Sequence, residues 1–222
     1  MNNENTTQLK ELIRYATLAP SSHNTQCWKF RLQDRAISIL PDLSRRCPVV
    51  DPDDHHLYVS LGCAAENLLQ AAKAQGLSGQ ITFDDSGDGA VQIALEPSPP
   101  TVTPLFEAIP HRQCTRAEYD GKPLSLEEIK LLETAGQGDG VRVLMLTERA
   151  EMETVLDYVV QGNTAQINNN AFMSELKSWI RFNDREAAHT GDGLSGRTTG
   201  NPSIPRWLGN LLFKLLIRVQ PE

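Results

Sequence analysis

An α+β fold is the class this sequence predicts, and three observations carry the prediction. Trp28, Phe30 and Leu32 alternate with Lys29, Arg31 and Gln33, and a second apolar run covers Ala36 to Leu40 across the Asp34-Arg35 turn. That is a hairpin with one buried face. A long helical pattern follows from Asp51 to about Gln75. Helices and strands then recur without the regular strand–helix alternation of a doubly wound sheet.

Taken in order, Thr6 or Thr7 can cap a first helix that carries Leu9, Leu12, Ile13 and Ala16 on one face. Pro20 pushes Ala19 out of helical geometry and stops it. Asp51-Pro52-Asp53-Asp54 reads as a capping Asp, a Pro at the first helical position and acids near the positive dipole end. Leu57, Leu61, Ala64, Ala65, Leu68, Leu69 and Ala72 give that helix a broad apolar face, and Gly76 ends it. Its small residues Gly62, Ala64 and Ala65 imply close packing. Short strands follow near Gln80–Phe83 and Ala90–Leu95, separated by the turn-forming DDSGDG. EPSPPTVTP is an extended connection, and a short helix covers Pro104–Ile109. Ser125 with Glu128 forms a capping box for a helix through Ile129, Leu132 and Ala135. Val141–Leu146 reads as a strand and Glu148–Val160 as helical. A further helix, a glycine-rich loop and an apolar helix over Pro205–Val219 complete the chain.

Composition bounds the function. The 222 residues are 40% hydrophobic with a net charge of −7, enough for a core and the wrong sign for a nucleic-acid surface. No basic, apolar, small-residue sequence opens the chain, and Arg45-Arg46 lies too far in to be a twin-arginine signal, so a cytoplasmic protein is expected. Cys27, Cys47, Cys63 and Cys114 are scattered, without metal-ligand spacing. His55-His56 reads as a solvated pair at a helix start. Trp207–Val219 is apolar but for a stripe of Asn210, Lys214 and Arg218. At about 20 Å it is too short to cross a bilayer core of about 30 Å. It reads instead as a buried helix, and as a surface for self-association if left uncovered.

Three stretches carry candidate chemistry. GDGLSG, Gly191 to Gly196, matches the dinucleotide fingerprint in letters, but neither a feeding strand nor a receiving helix flanks it, so a flexible loop is expected. Ser21, Ser22 and His23 are adjacent, whereas a nucleophile and its base meet through the fold. In LAPSSHNTQCWKF, seven consecutive non-aliphatic residues, Pro20 to Gln26, precede an aromatic strand. A plain helix–strand connection needs little chemistry. In HRQCTR, Arg112 and Arg116 are four apart, so on a helical turn both guanidiniums share a face and suit a phosphate. Surface salt bridges are the other reading those two residues leave open.

LIRYATLAPSSHNTQCWKF resembles the APSxxNxQPW signature of nitroreductase-like flavoproteins, and HRQCTR resembles the family's arginine-rich phosphate motif. Both in one chain, in inverted order, resemble the Acg-like branch. There, two nitroreductase-like halves form a pseudo-dimeric sandwich, with helices around an antiparallel-rich sheet. SWIRFNDREAAHTGDGL and GNPSIPRWLG are similar to the segment that covers the flavin in that branch. The resemblance implies halves at residues 1–100 and 101–222, the second incomplete. It implies FMN held by Pro20, Ser21, Ser22, Asn24 and Gln26, with Arg112 and Arg116 at the phosphate. NAD(P)H would be the electron donor and a nitroaromatic, quinone or similar small molecule the acceptor. A flavin-sequestering protein without turnover, or a fragment that holds flavin weakly, are its alternatives. Two departures stand out: Cys27 replaces the family's usual Pro, and relatives of the branch continue for roughly another hundred residues, about one small domain.

Overall fold

The computed structural model describes residues 3–114, 119–200 and 202–218. The chain forms two units, Met1–Thr115 with Ser174–Glu222, and Arg116–Met173. In the first unit α1 (Asn3–Ala16) leads to the hairpin of β1 (Trp28–Gln33) and β2 (Ala36–Pro41), with Phe30 opposite Ile39. After α2 (His55–Ala74), β3 (Leu77–Asp84) and β4 (Ala90–Pro97) pair with each other, and β4 also pairs with β2. The sheet order is β1-β2-β4-β3 and every pairing is antiparallel. The α+β expectation holds.

Register explains the core. Ile37 faces Ile93 and Ile39 faces Val91, so the two-residue period puts these side chains on the helix-bearing face. There they meet Leu61, Ala64, Ala65 and Leu68 of α2 and Leu9, Leu12 and Ala16 of α1, all buried. Ser38 faces Gln92 on the opposite side, and its hydroxyl donates to the amide oxygen at 2.6 Å. Ala64 and Ala65 pack closely as their size implies, whereas Gly62 stands on the exposed side of α2.

Two helix starts differ from expectation. The first helix begins at Asn3, so Thr6 and Thr7 lie inside it. The long helix begins at His55 rather than Pro52, behind Asp54 in the left-handed region at φ +58°. Asp51 still does the capping, from outside: its carboxylate accepts the N–H groups of His56 and Leu57, each at 3.0 Å. The intervening Pro52-Asp53 thus forms a turn that lets one carboxylate cover two orphan donors of the helix. Asp51→Ala is expected to cost about 1–2 kcal/mol in a urea titration, as loss of a strong cap does. An unchanged midpoint would show that other groups satisfy those N–H donors. His55 and His56 are exposed at this start, as read from the sequence.

A short helix α3 (Pro104–Ala108) closes the sheet portion, with the Thr103 hydroxyl accepting the Phe106 N–H at 3.1 Å.

In the second unit the capping box forms as predicted. Ser125 Oγ accepts the Glu128 N–H at 3.2 Å, and Glu128 Oε2 accepts the Ser125 N–H at 2.7 Å, at the head of α4 (Leu126–Ala135). The next helix, α5 (Arg149–Asn168), continues well beyond Val160. The predicted strand over Val141–Leu146 is absent; one bridge, Gly138 to Val141, stands in that stretch. Its β-propensity is local, but a strand is stabilised by cross-strand pairs, and none forms here among the described residues. Neither α4 nor α5 buries a residue.

The chain then returns to the first unit through the end of α6 (Asn170–Trp179) and β5 (Ile180–Arg181). There follow α7 (Asp184–Thr190), β6 (Leu194–Ser195), α8 (Gly196–Thr199) and α9 (Arg206–Arg218), with β5 parallel to β6. Glu175 ties this portion to the Cys47–Val50 turn by accepting the N–H groups of Val49 at 2.9 Å and Val50 at 3.1 Å. Helix α9 buries one face: Gly209 lies directly against the Phe182 ring, and Phe213 meets Phe182 edge-on with centroids 6.3 Å apart. A Cβ at position 209 would overlap that ring, so glycine is what lets the helix approach. Trp207 and Leu211 remain exposed, and Val219 lies outside the described residues. Among the described residues no helix is long and apolar enough to cross a membrane.

Candidate functional site

The polar loop is a constrained structure. After Ala19, Ser22–Asn24 form a 3-10 turn, and His23, Asn24 and Gln26 all lie in the left-handed region, at φ +50°, +53° and +54°. Asn and His are among the residues found there more often; Gln is not. Each such L-residue costs roughly 1–2 kcal/mol, so the surroundings must hold the loop. Ser21 Oγ accepts the Gln26 N–H at 3.1 Å. The Ser22 N–H donates to Ser60 Oγ at 3.3 Å, and that hydroxyl in turn donates to the His56 carbonyl at 2.7 Å. Thr25 and Cys27 are buried and anchor the loop's far end. Cys27 is a packed thiol, its pKa raised by burial. Cys47 is pushed up to about 12, by burial first and then by the nearby Glu175 and Asp51 charges. Neither is a reactive thiolate.

Beside the loop lies a groove of about 350 Å³. Pro20, Val50 and Val59 give it apolar walls, while Ser21, Ser22, His56 and Ser60 border it with polar groups; Cys63 completes the lining. Of the α2 residues, His56 reads from the sequence as part of a solvated helix start and Cys63 as an isolated thiol, while Val59 and Ser60 are not marked by composition. Their signal is spacing: 56, 59, 60 and 63 fall on one side of a helix, with Ser60 buried and Cys63 packed at the edge of the core.

The GDGLSG segment supplies a second contact with the loop, and it is not the free loop expected. Asp192 is 8% exposed and receives three charged hydrogen bonds. Arg181 gives two, at 2.6 and 3.0 Å, and Arg45 gives one at 2.8 Å. Burial opposes the charge, but Arg181, Arg45 and Thr190 together hold the Asp192 carboxyl below the usual carboxylate range. The next residue, Gly193, donates its N–H to the Asn24 carbonyl at 2.9 Å and accepts from Asn24 Nδ2 at 3.1 Å. Gln26 Nε2 donates to Asn24 Oδ1 at 2.9 Å. Gly193 sits at φ +79°, where a Cβ would come 2.5 Å from the Trp179 carbonyl oxygen and 2.8 Å from the Arg181 guanidinium carbon. No other residue fits that approach. The upstream element is α7, not a strand, so the dinucleotide reading stays rejected.

The arginine motif departs from its predicted geometry. A 3-10 turn covers Ile109–His111, and Arg112 is then extended at φ −65°, ψ 127°. The four-residue helical spacing therefore does not operate, because it requires a helix. Arg116 lies outside the described residues. Arg112 is exposed and donates to the Leu18 carbonyl at 3.3 Å, which ties it to the entry of the polar loop. The structure thus brings Pro20, Ser21 and Ser22 to one groove, Asn24 to the Gly193 contact with Gln26 bonded to it, and Arg112 to the loop's start. Among the described residues no cluster of His, Cys, Asp and Glu could hold a metal ion.

No family model matches the chain. Two mycobacterial proteins do resemble it. Each bears the name "Putative NAD(P)H nitroreductase", one from Mycobacterium tuberculosis strain ATCC 25618 / H37Rv and one from strain CDC 1551 / Oshkosh, and each is 26% identical over 204 residues. The match takes in 89% of this chain and 57% of each relative, so the chain spans little more than half the length of the curated relatives it matches. A solved nitroreductase family protein from Streptococcus pneumoniae TIGR4 aligns with a TM-score of 0.33 and 16% identity, over 58% of this chain and 88% of its own.

Proposed function

We propose that this chain is an FMN-dependent oxidoreductase of nitroreductase type, built on the Acg-like plan of two fused halves at residues 1–100 and 101–222. The observation that carries the reading is the similarity, across most of the chain, to proteins named as NAD(P)H nitroreductases. The groove's chemistry fits the cofactor. Apolar walls at Pro20, Val50 and Val59 suit the faces of a flat heterocycle, and the Ser21 and Ser22 hydroxyls suit its carbonyl edge.

In this reading Pro20, Ser21 and Ser22 hold the ring, Asn24 and Gln26 meet its polar edge, and Arg112 and Arg116 face the phosphate. The flavin supplies hydride chemistry between NAD(P)H and a small-molecule acceptor such as a nitroaromatic or quinone; the chain's residues position it. The strained loop is useful here, because hydrogen-bonding groups fixed beforehand need no ordering when the ring arrives. The cytoplasm is the proposed compartment. Exposed Trp207 and Leu211 support self-association through the Trp207–Val219 helix. A second reading, flavin binding without turnover, is favoured by one contact: Gly193 already occupies Asn24, as a covering segment would.

Purified protein titrated with FMN and then with NADPH under anaerobic conditions separates these readings. A yellow protein that bleaches supports the enzyme, and one that stays yellow supports the binder. A protein that takes up no FMN overturns both. Arg116→Ala is expected to weaken FMN by about 1.5–3 kcal/mol while sparing riboflavin, because only FMN carries the phosphate. Equal losses for the two flavins would remove the arginine from the phosphate site.

A further inference from the structure

We propose that Asp192 is a positioning residue that sets the shape of the Asn24 loop for the flavin, an inference that rests on the flavin reading above. The contacts form a closed circuit. Asp192 accepts from Arg45 Nη1 at 2.8 Å, and the same nitrogen donates to the Thr25 carbonyl at 2.7 Å. Thr25 adjoins Asn24, whose carbonyl and side-chain amide both bond Gly193, and Gly193 adjoins Asp192. The circuit joins residues 147 and 169 positions apart in the chain.

The carboxylate is where both arginines converge; Arg45 also has a longer contact with Asp42, at 3.9 Å. Arg45 and Arg181 both point at Asp192, and without its charge two guanidiniums would face each other. Arg181 also donates to the Ser178 carbonyl at 2.9 Å, so Asp192 fixes the β5–β6 segment as well as Arg45. Gly193 is then held where its peptide meets Asn24. The consequence for the loop is orientation. With Oδ1 accepting from Gln26 and one N–H given to Gly193, the Asn24 amide plane is set, and its second N–H is the group a flavin carbonyl would accept from. His23, Asn24 and Gln26 occupy a left-handed stretch that such residues leave readily when unsupported. The charged hydrogen-bond partners of the Asp192 carboxylate among the described residues, Arg45 and Arg181, lie outside the four-stranded sheet, so its effect on the loop is separable from the core.

The test is amide hydrogen exchange combined with FMN titration on the full chain, for the native protein, Asp192→Asn and Arg45→Gln. Exchange at Gly193 and Gln26 is expected to quicken by about tenfold or more in both variants, while Ile39 and Ile93 in the sheet keep their native rates. FMN is expected to bind about tenfold more weakly, with an altered visible circular dichroism of the bound flavin. A merely structural role would speed the sheet amides together with those of the loop. If Asp192→Asn unfolds the sheet, Arg45→Gln carries the test, since Arg45 is partly exposed and leaves the Arg181 pair in place. Native exchange at Gly193 and Gln26 in the folded variants overturns the proposal. So does FMN bound as tightly as, or more tightly than, by the native chain. A native protein that takes up no FMN overturns the flavin reading, and with it the positioning role, even where exchange shows that Asp192 shapes the loop.

Discussion

Replacing Asp192 by alanine is expected to destabilise the docking of the segment 180–195, rather than the four-stranded sheet, by about 3–5 kcal/mol, the penalty for removing the carboxylate of a buried ion pair and leaving its guanidinium partners behind. The Arg181 side chain is 11% exposed and that of Asp192 9%, so neither is rescued by solvent. The Arg45 side chain, at 36% exposure, recovers hydration and contributes less. Replacing the triad with apolar groups would be a different experiment, and need not destabilise at all.

The effect should depend on pH with a defined sign. The folded pKa of Asp192 is lowered relative to an ordinary aspartate near about 3.9. Its contribution is therefore fully present above that unfolded value and is lost as pH falls through the lower folded one. Urea titrations of the native chain and Asp192→Ala should show a steady difference from about pH 7 to 5, narrowing below about pH 4. The groups facing the carboxylate are Arg45, Arg181 and Thr190, none of which changes charge in that window. A difference that persisted unchanged down to about pH 2 would mean that shape, not charge, is what alanine removes.

Leu61→Ala is expected to cost about 3 kcal/mol, within the 2–5 kcal/mol seen for buried leucines. Leu61 has 0% exposure and sits on the α2 face that meets the sheet. Ladder hydrogen bonds hold the facing Ile37 and Ile93 in register, so the cavity has little freedom to collapse. Leu156→Ala on α5 is the contrast. Leu156 is 55% exposed and its helix buries no residue, so a change within about 0.5 kcal/mol is expected. Two similar costs would show that the second unit has a packed core after all.

What the sequence determined by itself lies in short-range patterns. The Trp28, Phe30 and Leu32 alternation places β1, because a period of two is a property of extended backbone and needs no partner to be read. Ser125 with Glu128 locates the start of α4, since both bonds of a capping box close within four residues. The polar run Pro20 to Gln26 marks the candidate loop by composition alone. Where a local signal needed a context it did not specify, the tertiary structure decided. Arg112 and Arg116 would share a face only on a helix, and Arg112 is extended. Val141 to Leu146 has the residues of a strand but no described strand to pair with. Asp51 caps α2 from outside the first turn, a reach its neighbours do not announce. The clearest case is Asp192. Its segment reads as flexible glycine-rich chain, and Arg45 reads only as half of a basic pair. The charge pairing that orders both spans 147 positions, and it exists because burial makes an unpaired carboxylate too costly to leave unsatisfied.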